Sequence, residues 1–266
     1  MLKTILISGF LILGITGQSQ CVFRNTTFAT GESIEYEVYY NWGFVWLNAG
    51  WVRFQVKDTL FNKYDCYLLD SYGSSHNSYD WLYKVRDHYR SCLHKESLQP
   101  LYFHRKNYEG GYEVDDRYVF NWKKKEAYAY TQNSKKAFSI DTVTLPACTF
   151  DLLSLIYYAR NVDFDNMKTG DKLPVITIID TTVYNLYIRY LGREKITDRN
   201  GKEFACIKFS ALLVEGTIFK GGEDMFVWVT DDANRIPVLV ESKILVGSVK
   251  AYLSGTKGLR HPIKYF

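Results

Sequence analysis

The chain has 266 residues, a formal net charge of +4, 47% hydrophobic and 23% charged residues, the balance of a globular protein with a sizeable core. Its 17% aromatic content, with 22 Tyr, excludes a disordered chain and points to sheet, since aromatic side chains fit a pleated, half-buried surface. Lys and Arg are interspersed with Asp and Glu, and the largest basic run, Lys123–Lys125, falls in an expected turn, so no nucleic-acid partner is expected.

The N-terminus opens with Lys3, an apolar stretch from Ile5 to Ile15, and then Thr16-Gly17-Gln18-Ser19-Gln20. This is the order of a secretory signal, with Gly17 and Ser19 at the small-residue positions before cleavage. Residues 1–19 are therefore expected to form a signal peptide and residues 20–266 a single β-rich domain, exported to the periplasm or held at the outer membrane. The apolar run is too short to span a bilayer, and no later segment is long enough, so no transmembrane segment is expected. Lipidation at Cys21 is not expected, because Gln20 is not the small residue such sites prefer. Cys66, Cys148 and Cys206 sit among apolar neighbours and read as buried free thiols, and the absence of a CxxC pair argues against structural zinc.

Strand-like alternation begins with Ile34, Tyr36, Val38 and Tyr40 on one face and Glu35 and Glu37 on the other. Further strand-like runs are Trp51–Val56, Cys66–Gly73, Trp81–Leu93, Leu101–Tyr108, Tyr112–Trp122 and Ala127–Thr131. After a helix come Leu173–Ile179, Tyr184–Gly192, Phe204–Ser210, Met225–Thr230, Ile236–Ser242 and Ile244–Leu253. Asn200-Gly201 and Gly110-Gly111 read as two-residue hairpin turns, because a type I′ turn needs two positive φ angles.

The helix is expected over Thr149–Arg160, with Thr149 as cap, Asp151 in its first turn and Arg160 in its last. Leu152, Leu155, Ile156 and Ala159 give an apolar stripe, widened by Leu153 and Tyr157. The expected fold is mainly β: a large antiparallel curved sheet, half-barrel or open barrel, with one apolar α-helix packed on it.

Several segments resemble, in order, the bacterial domain-of-unknown-function 3108 family. They are Gly31-Glu32-Ser33-Ile34-Glu35-Tyr36, Ala49-Gly50, Val85-Arg86-Asp87, the helix Asp151–Arg160, and Trp228–Pro237 leading into Glu241, Lys243 and Gly247. The resemblance covers nearly the whole mature chain. It implies an exported, β-rich envelope protein of a Gram-negative bacterium, and implies no reaction.

No strong catalytic, metal or nucleotide motif occurs, and no cofactor is expected. Asp231-Asp232-Ala233-Asn234-Arg235 concentrates oxygen ligands but lacks the glycine and distal Glu of a calcium loop, so it reads as a turn that bonds its own backbone. Arg86 and Asp87 must face opposite ways on a strand, while His88, Arg90, Cys92 and His94 share one face that reads as a solvated exterior. Glu35 and Glu37, near Trp42 and Trp46, supply the two carboxylates a glycan hydrolase would need. The leading expectation is a non-enzymatic envelope protein that binds a lipid or other apolar or amphipathic ligand in an aromatic-lined cavity built from Tyr40, Trp42, Trp46, Trp81, Tyr157 and Trp228. Its alternatives are an assembly factor acting through a surface for an envelope protein, and then the hydrolase.

Overall fold

The computed structural model describes residues 24–42, 45–214, 221–244 and 247–265. The export signal expected in residues 1–19 and Cys21 lie outside the described residues.

The first half of the chain is a meander of long strands: β1 (Ser33–Trp42), β2 (Val45–Phe61), β3 (Tyr64–Ser75), β4 (Val85–His94), β5 (Pro100–Glu109), β6 (Tyr112–Asn121), β7 (Glu126–Asn133) and β8 (Lys136–Thr144). A 3-10 turn (Asn77–Tyr79) and a four-residue helix, α1 (Asp80–Tyr83), interrupt it between β3 and β4. A two-residue strand, β9 (Thr149–Phe150), leads into helix α2 (Leu152–Arg160). The meander then resumes with β10 (Lys172–Ile179), β11 (Thr182–Thr197), β12 (Glu203–Leu213), β13 (Gly222–Thr230), β14 (Pro237–Lys243) and β15 (Ser248–Lys257).

All fifteen strands join one sheet, in the order β8-β7-β6-β5-β4-β3-β2-β1-β15-β14-β13-β12-β11-β10-β9. Strands β1 and β15 pair antiparallel at its centre, and the chain winds outward from there to the two edges. Every neighbouring pair is antiparallel except β9 with β10. The edges β8 and β9 do not pair, so the strands form one large sheet that is not closed.

Turn chemistry explains several of the hairpins. Gly110 and Gly111, at φ +57° and +95°, make the expected two-residue turn between β5 and β6, where the Tyr83 ring presses on Gly110. Asn62 and Lys63, at φ 48° and 72°, make the same turn between β2 and β3 without any glycine, which hid it from the sequence reading. The turn at Asn200-Gly201 is not a two-residue one. Asp198 accepts hydrogen bonds from the amides of Asn200 and Lys202 and opens the connection into a five-residue loop.

Two other sequence expectations change. Trp81–Leu93 is not one strand, because its first residues belong to the short helix α1 and β4 begins only at Val85. Strand β8, absent from the sequence reading, alternates in the inverse sense. Phe138 and Ile140 are exposed while Ser139 and Asp141 are half-buried, so an apolar-inside search passes over it.

Helix α2 packs against β3, β4, β9 and β10 and joins the two halves of the core. On one side lie Phe28, Leu69, Leu93, Phe103, Tyr118 and Leu153. On the other lie Phe150, Tyr158, Phe164, Ile188, Ile207 and Phe209. The helix is not the greasy stripe expected. Its buried residues are Leu153, Ser154, Tyr157, Tyr158 and Arg160, whereas Ile156 is 42% exposed. Its cap is Asp151, whose carboxylate accepts from the Leu153 and Ser154 amides, and Thr149 belongs to β9.

Candidate functional site

Three of the family-like segments converge in the interior. Arg160, at the last turn of α2, forms a bidentate pair with Glu32, at 2.6 and 2.8 Å. Its Nε and Nη2 donate to the Asn234 carbonyl at 3.2 and 3.1 Å. The Phe28 and Tyr157 rings lie 5.7 and 5.2 Å from its guanidinium carbon. Arg160 and Glu32 are 3% and 0% exposed at their side chains, so both charges depend on each other. Burial alone would lower the Arg160 pKa, but the hydrogen bonds and charge of Glu32 outweigh it and hold the pKa up. Three sequence-distant segments are thereby riveted at one point, with the loop after β13 supplying the third.

That loop has the self-bonded character expected of it. Asp232 accepts from Thr230 Oγ1 and from the Asn234 and Arg235 amides, and Asp231 pairs with Arg193 and Arg235. Asn234 holds the C-terminal segment through His261. Among the described residues, no group of three or more His, Cys, Asp or Glu could hold a metal ion.

The six residues expected to line a cavity fall into three places. The backbones of Tyr40, Trp42 and Trp46 lie near the β1–β2 turn, and the Trp42 side chain lies outside the described residues. Val45–Ala49 run past the end of β3, whose last partner on β2 is Gly50. Close approach of the Ser74 carbonyl leaves no room for a Cβ at Gly50. The segment carrying Trp81 sits at this same end of the sheet, where the His76 amide donates to the Ala49 carbonyl at 2.9 Å. Tyr157 is instead packed in the first core cluster, and Trp228 lies on the opposite face of β13 from Val227 and Val229. Trp228 donates to Glu194 and lies 4.6 Å beneath Lys208. The six residues therefore do not surround one cavity. Two depressions among the described residues, of about 230 and 190 Å3, are lined by none of the six.

Several apolar side chains are exposed towards the β1–β2 end of the sheet. Trp81, Leu82 and Tyr83 are 80%, 40% and 45% exposed, and Val45 and Trp46 are exposed beside the β1–β2 turn. Helix α1 is tied to the sheet by hydrogen bonds. Asp80 accepts from Ser75 Oγ at 2.6 Å and from Arg86 at 2.6 and 3.1 Å, and Ser75 Oγ also takes the Val85 amide. Arg86 thus points outward to fix α1, while Asp87 turns inward, the split that strand geometry requires.

Asp87 lies directly across from Asn107. Burial and the neighbouring Glu109 push its carboxyl up to about 7. Deeper on the same inward face, Arg105 binds Asp116 at 2.6 and 2.9 Å and also reaches Asp180, in the β10–β11 turn. The Arg105–Asp180 contact ties β5 to the β10–β11 turn in the other half of the sheet. Glu35 and Glu37 do not face each other across a cleft: they share one strand face, Glu35 exposed and Glu37 accepting from Tyr39 at 2.8 Å. Cys66, Cys92 and Cys206 are free and buried, whereas Cys148, expected to be a free thiol, is disulfide-bonded.

Residues 35–254 match the family described as a protein of unknown function, DUF3108. The chain belongs to the DUF3108 family. No curated protein matches it. A crystal structure from Brucella abortus, described as a beta-barrel-like protein of domain of unknown function DUF1849, resembles this DUF3108 protein at 9% identity and a TM-score of 0.57. The likeness covers 89% of this chain and 99% of that one and concerns the fold alone.

Proposed function

We propose that this DUF3108 protein is a non-catalytic envelope protein that docks a protein partner on the aromatic end of its sheet. One observation carries the reading: Trp81, 80% exposed, projects from a helix pinned by the Asp80–Arg86–Ser75 network. A large aromatic held rigid in water gains nothing for folding, but it meets a partner at little entropic cost. Leu82 and Tyr83 extend the surface on the same helix. The envelope setting rests on the signal-like order of residues 1–19.

The apolar-ligand alternative needs an aromatic-lined cavity. The interior around α2 is instead occupied by Tyr157, Tyr158, Phe28 and the Arg160–Glu32 pair, which favours the surface reading.

The test places a photoreactive amino acid at position 81 of the full-length protein in its native cells. Position 60, where Leu60 is 70% exposed in the β2–β3 hairpin, is the control. A discrete protein adduct is expected from position 81 and not from position 60, with loss of the adduct on Tyr83→Ser. Equal crosslinking from both positions would refute the reading. Native mass spectrometry showing a bound lipid and no partner would restore the ligand alternative.

A further inference from the structure

Strands β2, β3 and β4 carry on their outer face a depression of about 190 Å3, lined by Arg53, Gln55, Lys57, Asp70, Tyr72 and His88. The register builds it. Arg53 pairs across to Tyr72 and Tyr72 to His88, while Gln55 lies opposite Asp70 in the adjoining row. All of these point away from Val56 and Leu69 of the core.

Asp70 is the organiser. Lys57 Nζ and His88 Nε2 both donate to it at 2.7 Å. Burial raises the pKa of this carboxylate, but the two donors outweigh that and leave it lowered. Its charge is therefore committed to holding Lys57 and His88 at the rim.

Arg53 has a different setting. It forms no ion pair with a carboxylate among the described residues, and the Trp51 ring lies 5.8 Å from its guanidinium carbon. Trp51 in turn lies against Tyr72, with centroids 5.5 Å apart, so two rings stiffen the arginine side of the depression. Next to Asp70 on β4, Arg90 gives its Nη2 to His104 at 2.8 Å, a neutral acceptor when His104 is unprotonated. Burial holds the His104 pKa low despite its Asp115 partner. Lys106, across from His88, adds another cation. Arg53, Lys57, Arg90 and Lys106 thus bring four positive charges to the depression and its edge, against Asp70 within it and Glu35 across from Arg53 on β1.

We propose that this depression binds a phosphate-type anion, with Arg53 and Lys57 as its charged clamps and His88 and Gln55 as flanking hydrogen-bonding groups. The several oxygens of a tetrahedral phosphoryl group can meet donors arriving from three adjacent strands, and arginine presents a planar fork suited to two of them. The site is built from other residues than α1 and does not depend on the partner-docking reading. The phosphoryl group could come from a soluble ester or from a lipid headgroup.

The experiment uses the full chain at low salt. Inorganic phosphate and glycerol phosphate are titrated by calorimetry, with NMR shifts of the His88 ring as the site-specific readout. Vesicles of phosphatidylglycerol or phosphatidylcholine are co-sedimented in parallel. Arg53→Gln and Lys57→Gln should each weaken binding about tenfold, the scale of one charge-assisted contact. Lys124→Gln, in the solvated turn after β6, should leave it unchanged.

Soluble-phosphate binding alone supports the site with a small ester as its source, and binding only to phosphatidylglycerol vesicles supports it with a lipid source, provided that the Arg53 and Lys57 variants lose it. The absence of binding in both arms overturns the proposal. So does binding that Arg53→Gln and Lys57→Gln reduce no more than Lys124→Gln, since only a diffuse attraction would then remain. His88 shifts in the unmodified chain keep the test valid should a variant fold poorly.

Discussion

Arg160→Met should be among the most damaging single substitutions in the molecule. The change leaves Glu32, 0% exposed, with no counter-charge and without two hydrogen bonds of 2.6 and 2.8 Å. It also removes the donors to the Asn234 carbonyl and the cation beneath the Phe28 and Tyr157 rings. Breaking a buried pair from one side costs about 3–5 kcal/mol, because the remaining charge stays desolvated. That is a large part of the roughly 5–15 kcal/mol that holds a typical domain together.

The double variant Glu32→Gln/Arg160→Met removes both charges and should recover about 2 kcal/mol or more relative to Arg160→Met alone. Urea unfolding at pH 7, followed by tryptophan fluorescence, measures both. Glu32→Gln alone completes the cycle and provides a milder perturbation if Arg160→Met does not fold. A loss under about 1 kcal/mol for Arg160→Met, or a double variant equal to the sum of the singles, would show that the two charges are not coupled as the geometry requires.

Asp87→Asn should stabilise the protein at pH 8 by about 1–2 kcal/mol and make little difference at pH 4. The folded-state pKa of Asp87 is raised to about 7, so the native protein retains a proton that the unfolded chain loses from about pH 4 upward. The cost of ionising Asp87 accordingly grows between those values and is complete above pH 7; equal destabilisation by the variant at both pH values would count against this account. Cys92 and Cys206, whose thiols burial pushes up to about 12, should resist alkylation at pH 8 until the chain is unfolded. Rapid labelling of the native protein, read by intact mass, would contradict their burial.

Much of the architecture was legible in local pattern. Alternation located nearly every long strand, because a period of two with one face buried leaves a direct imprint on sequence. Strand β8 escaped because its apolar residues, Phe138 and Ile140, face solvent. Helix α1 escaped because Ser75 and Arg86 secure it through Asp80, and such contacts outrank the strand preference of Trp81 and Tyr83. The buried face of α2 was misread because Ser154 and Arg160 are polar residues whose burial depends on partners supplied from elsewhere.

By itself, the sequence determined that this chain is a predominantly antiparallel β protein and located helix α2, since both periodicities are properties of neighbouring residues, while the second short helix, α1, went unseen. It also carried the ordered segments by which the family is recognised. Only the tertiary structure decided that Glu32, Arg160 and Asn234 meet, that Trp81 stands in solvent while Tyr157 is enclosed, and that Arg53 gathers with Lys57 and His88. Those outcomes depend on strand register and on contacts between residues far apart in the chain, which a local pattern does not encode.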